Sequence, residues 1–145
     1  MKKSHSNLIR VYWDIENISP GQLGVESFFN EVDQKLESLF GKGCTPPLIT
    51  IACNVRRTNP KMLEFITKNG VIIRHIEGSK TEQADRELER SIRHDLTHSP
   101  ESHFVMITHD NDFVQIIREM KRCSSSDSKI VYMRPGALCY RHHQY

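Results

Sequence analysis

The chain has 145 residues, 26% of them charged and 37% hydrophobic, which suits one domain over residues 1–145 that buries about two-thirds of its unfolded surface without staples. Its 20 basic and 18 acidic side chains leave a formal charge of +2, so any surface for nucleic acid has to be local and not a property of the whole chain. No apolar stretch approaches the roughly 20 residues that span a bilayer, and a soluble protein with no membrane partner is expected.

The first residues are basic and lead into an apolar run that Arg10 interrupts, with no small-residue cleavage site before Asp14. They predict a first strand over residues 8–13 and not a signal peptide. Helical spacing follows over 26–40, after a break at Ser19-Pro20-Gly21. A second apolar run at 48–53 predicts a strand, and Pro60 opens a helix over 60–68, where its fixed φ suits the first turn. A strand over 71–76 and a helix over 80–98 come next. Strands over 104–108 and 130–133 flank a helix over 112–122.

The strand-like runs are nearly continuous in apolar residues and do not alternate with polar ones, which means cover on both faces. The expected fold is therefore a three-layer α/β/α arrangement with a central, mainly parallel sheet of about five strands. Cys44, Cys53, Cys123 and Cys139 form no C-x-x-C pair, and reduced thiols in cytosol or nucleus fit their wide spacing. Cys139 with His142 and His143 supplies at most part of a zinc site and is set aside.

Ligands of open parallel sheets bind beyond the carboxyl ends of the strands, where strand order reverses. Asp14 closes the first strand in Val11-Tyr12-Trp13-Asp14-Ile15-Glu16-Asn17, with Asn17 one turn on. Asp110 and Asp112 follow the fourth strand in Thr108-His109-Asp110-Asn111-Asp112-Phe113. Taken singly, each has a local explanation: an Asx turn for Asp14 or Asn17, a helix cap for Asp110 and Asp112.

Asp85 is different. Ser79 and Glu82 form an S-x-x-E capping box, which puts Asp85 well inside the helix. At about 100° per residue it falls within the apolar stripe of Ala84, Leu88, Ile92 and Leu96. Asp95 falls on that stripe too, without an evident role, and a buried acid can simply be paired. The Glu82–Arg86 and Glu89–Arg93 spacings read as a solvated face. Trp13 and Phe113 read as core, and His109 as an exposed loop residue.

Several carboxylates gathered together repel unless a cation sits among them. Hard oxygen donors favour Mg²⁺ or Mn²⁺, ions that clamp a phosphate oxygen and activate a bound water. Arg56, Arg57 and Lys61 follow the second strand and Lys80 the third, all at the expected carboxyl edge, where a phosphate backbone would need them.

The anchors around Asp14, around Lys80 with Ala84-Asp85-Arg86-Glu87-Leu88, and around Asp110 and Asp112 resemble those of the NYN domains, PIN-like nucleases, especially the branch found in meiosis regulator and mRNA stability factor proteins. The resemblance implies a PIN-like sheet with the first and fourth strands adjacent. It also implies a divalent-metal-dependent endoribonuclease acting on single-stranded RNA; the sequence leaves monomer and homodimer both open. Asp14, Asp85, Asp110 and Asp112 match the family's acidic positions; Asn17 and Thr108 match its supporting asparagine and hydroxyl residue. His109 and Arg86 depart from the pattern. Alternatives are a non-catalytic RNA-binding or interaction module, and an aspartyl-nucleophile phosphatase, which would want a second aspartate where Glu16 stands.

Overall fold

Strands that are apolar at almost every position need a layer on each side. In the computed structural model, described over residues 8–14, 21–41, 46–78, 81–108 and 111–133, strands and helices alternate along the chain. The order is β1 (Ile9–Trp13), α1 (Gly21–Phe40), β2 (Leu48–Cys53), α2 (Pro60–Lys68), β3 (Ile72–His75), α3 (Thr81–His98), β4 (His103–Ile107), a 3₁₀ turn (Asn111–Phe113), α4 (Val114–Cys123) and β5 (Ile130–Met133).

The five strands form one sheet in the order β3-β2-β1-β4-β5. All neighbours run parallel, with Trp13 beside Ile51 on one side and Ile107 on the other. The chain moves outward from β1 to β3, then returns to the other flank of β1 for β4. The switch point therefore lies between the carboxyl ends of β1 and β4, as the family resemblance implies.

Side-chain alternation along the strands divides the core in two. Val11, Trp13, Ile49 and Ile51 pack with Phe28, Phe29, Val32 and Leu36 of α1 and Met62 and Ile66 of α2. Tyr12, Ala52, Phe104 and Met106 pack with Ala84, Leu88, Ile92 and Leu96 of α3 and Ile116 and Met120 of α4. The helical stripes repeat every three or four residues, which is why each helix buries one face and solvates the other. Trp13 stacks on Phe28 at 4.3 Å between centroids and meets Phe29 edge-on at 5.9 Å; truncating it to alanine would cost about 3–5 kcal/mol.

Local chemistry explains the boundaries. Asn59 caps α2 by accepting from Lys61 N and Met62 N, ahead of Pro60 in the first turn. Gly41, at φ 93°, donates to the Glu37 carbonyl and ends α1 in a left-handed conformation that glycine adopts without strain. Two elements differ from expectation. Helix α1 begins at Gly21 and not at residue 26, because the low helix propensity of Gly21 and Gly24 hides its first turn in the sequence. The segment before α4 is a 3₁₀ turn, and Phe113, the helix N-cap, makes no side-chain cap bond. Ser79, half of the expected capping box of α3, lies outside the described residues.

Candidate functional site

Asp14 follows Trp13 directly, so the alternation that sends Trp13 toward α1 sends Asp14 to the face covered by α3 and α4. Its amide continues the ladder by donating to the Ile107 carbonyl at 2.9 Å. Its carboxylate is buried, 1% exposed, and Oδ2 accepts the Thr108 hydroxyl at 2.8 Å. Thr108 is fully buried at the end of β4, where its own amide donates to the Met133 carbonyl. A strand end that carries a buried carboxylate held by a neighbouring hydroxyl is a built feature, since burial of a carboxylate costs several kcal/mol unless compensated.

Helix α3 starts beyond the carboxyl end of β3, and Asp85 sits in its second turn, roughly 6 Å along the axis from Thr81. It is half-buried beside the fully buried Ala84 and Leu88, which agrees with the inward phase read from the sequence. Asp112 is exposed in the 3₁₀ turn, next to Phe113, whose buried ring fixes that turn to the core. Asp110, Asn17, His109 and Lys80 lie outside the described residues.

Asp95, the other acid on the inner stripe of α3, has a different explanation. Its Oδ2 accepts the Tyr12 hydroxyl at 2.6 Å and lies 3.8 Å from Arg10 Nη1. Arg10 in turn donates to Ser99 and Ser102. Burial, followed by the Asp95 carboxylate, drives the Tyr12 hydroxyl pKa far upward, so it stays a proton donor. Asp95 thus ties α3 to β1 at the amino end of the sheet, away from Asp14.

Glu89 was read in the sequence as part of a solvated face, and the structure adds to that. It lies one turn beyond Asp85 and is half-buried, with Arg93 Nη1 at 3.9 Å. Burial chiefly pushes its carboxyl pKa up; Arg93 opposes this, while Glu119 and Asp112 add to it. Asp112 is thereby within electrostatic reach of α3. Arg93 also grips Glu119 of α4 through two bonds of 2.9 and 3.0 Å. The signal for Glu89 in the sequence was its four-residue distance from Asp85, the spacing of neighbours on one helix face.

A second polar anchor that sequence reasoning missed is Asn54, buried at the end of β2. Its amide donates to the carbonyls of Glu77 and Gly78 at 3.0 Å each, and its Oδ1 accepts from Arg56 N. One side chain thus joins the loop after β2 to the segment that leads into α3. Arg56, Arg57 and Lys61 are exposed along that loop and the start of α2. Arg56 reaches Glu77 at 3.4 Å with both side chains largely in solvent, a pair worth at most about 1 kcal/mol.

The donors at the carboxyl edge are hard carboxylate oxygens, which fit Mg²⁺ or Mn²⁺ and not the softer metals that thiolates select. Among the described residues, no three histidine, cysteine or acidic side chains are grouped closely enough to hold a metal ion; Asp110 falls outside that set. Cys53 is buried and Cys123 exposed. Among the described residues no helix is long and apolar enough to cross a membrane.

Comparison with known proteins adds an independent line. Over 138 residues the chain is 24% identical to meiosis regulator and mRNA stability factor 1 of Gallus gallus, covering 93% of this chain and 8% of that protein. The corresponding proteins of Bos taurus and Xenopus tropicalis are 23% and 25% identical, again over 93% of this chain and 8% of their own length. The NYN domain family model, a PIN-like, nuclease-related domain, matches residues 8–138. With that match running from β1 past β5, the chain belongs to the NYN domain family.

Proposed function

We propose that this NYN domain, acting as one unit over residues 1–145, is a divalent-metal-dependent endoribonuclease that hydrolyses phosphodiester bonds of single-stranded RNA. Asp14, Asp85, Asp110 and Asp112 are its acidic set and would hold Mg²⁺ or Mn²⁺. The observation that carries the reading is the buried Asp14 carboxylate at the switch point, held by Thr108. When bound, such an ion supplies a polarised phosphate oxygen and a more acidic water. Asp14 contributes charge from a fixed position, and Thr108, with Asn17 as a further supporting residue, orients it. Arg56, Arg57, Lys61 and Lys80 engage phosphates on either side of the scissile bond.

A second reading is a domain that binds RNA without cutting it. It is favoured by the exposure of Asp112 in the 3₁₀ turn. The two readings separate on a labelled single-stranded RNA. The nuclease cuts it with Mn²⁺, stops in EDTA, and loses activity as Asp14→Asn. RNA binding without turnover across Mg²⁺, Mn²⁺, Zn²⁺ and Co²⁺ would leave only the binding module, and cleavage that persists in EDTA would reject metal dependence.

A further inference from the structure

The final turns of α3, at the amino end of the sheet, carry His94 and His98, four residues apart and so neighbours on one helix face. Both are exposed, His94 to 60%. Their rings stack with centroids 4.2 Å apart and planes 28° from parallel. Each ring has an oxygen against its Nδ1: His98 Nδ1 lies 2.8 Å from the His94 carbonyl, and His94 Nδ1 lies 3.4 Å from Asp95 Oδ1. A carbonyl oxygen only accepts, so the proton of neutral His98 resides on Nδ1 and the lone pair on Nε2. The Asp95 carboxylate favours the same tautomer in His94.

That is how histidine is prepared for a metal: one ring nitrogen donates to a carbonyl or carboxylate, and the other is left as the ligand. The support is rigid, because Asp95 is itself held by Tyr12 and Arg10. We propose that His94 and His98, with their exposed rings turned out of the stack, form a two-histidine site, through their Nε2 atoms, for a borderline transition ion such as Zn²⁺ or Ni²⁺, with water filling the remaining positions. Imidazole pairs favour these ions over Mg²⁺ and Mn²⁺, which prefer carboxylates and water. The spacing is the one at which two histidines of a helix share a metal. The nine-residue separation of Asp85 and His94 places the pair roughly 13 Å along the helix axis from the carboxylate site, so the two ends of the domain have different metal preferences.

Calorimetric titration of the full chain with Ni²⁺ and with Zn²⁺ at pH 7.5 tests this. Asp14→Asn keeps the binding event that both histidine variants lose, which separates the pair from the carboxylate site. His94→Gln and His98→Gln, at exposed positions and checked for folding by circular dichroism, each weaken binding by roughly 100-fold as chelation is lost. Absence of binding by wild type overturns the proposal. So does unchanged binding by both histidine variants, an outcome in which a loss with His142→Gln and His143→Gln would locate the metal in the C-terminal residues instead.

Discussion

The Thr108 hydroxyl donates to Asp14 Oδ2 at 2.8 Å, between residues 94 apart in sequence that meet at the carboxyl ends of β1 and β4. Removing the donor leaves a buried carboxylate with one fewer partner, and hydrogen bonds to charged groups are worth about 1.5–3 kcal/mol. Thr108→Val therefore lowers stability by about that amount, and Thr108→Ser by less, as read by urea unfolding. RNA cleavage falls in the same order, since the hydroxyl also fixes where the Asp14 charge points.

Two aspartates on the same stripe of α3 give opposite phenotypes. Asp95→Ala strands the Tyr12 hydroxyl and the Arg10 guanidinium, and costs about 1–3 kcal/mol of stability while cleavage per folded molecule persists. Asp85→Asn changes stability little and abolishes Mn²⁺-dependent cleavage. Denaturation and turnover measured on the same two preparations check both halves; a stable, active Asp85→Asn variant would remove Asp85 from the site.

The pair shows where sequence reasoning succeeds and where it stops. Helical phase turned both aspartates inward, and the structure agrees with both. What separates them is a contact with Tyr12 across 83 residues, which no local pattern carries. The bounds of β2, α2 and β5 were legible because their apolar runs end at strong breakers or caps. The first turn of α1 was not, because glycine lowers the local signal while tertiary packing supplies the stability. Asn54 was missed for a similar reason: it looks like any turn residue until the loop it holds is seen.

Arg56, Arg57 and Lys61 form an exposed basic stretch beyond β2, and its work is electrostatic. Replacing all three with glutamine weakens single-stranded RNA binding across sequences. It also flattens the salt dependence of log K by up to about 2, at about 0.7 per lost phosphate contact. Fluorescence anisotropy over a salt series reads both quantities. An unchanged slope would mean that RNA follows another path across the domain.

His103 is buried at the start of β4, packs at a tilt against the Phe40 ring, and accepts the Lys129 amide at Nδ1. Burial first, and the Lys129 charge second, lower its pKa from the usual 6.5. The unfolded chain then takes up the proton first as pH falls. Stability drops as pH passes below about 6.5 and levels off once the folded protein is protonated as well. His103→Gln flattens that part of the stability profile, measured by urea midpoints between pH 7.5 and 5.

The central claim is that the carboxylates around Asp14 gather a hard divalent ion. Crystals soaked in Mn²⁺ test it by anomalous diffraction. The account predicts a peak at the carboxyl end of β1, bonded to Asp14 and Asp110 and lost in Asp14→Asn. An empty site at saturating Mn²⁺, with the carboxylates splayed apart, would contradict it.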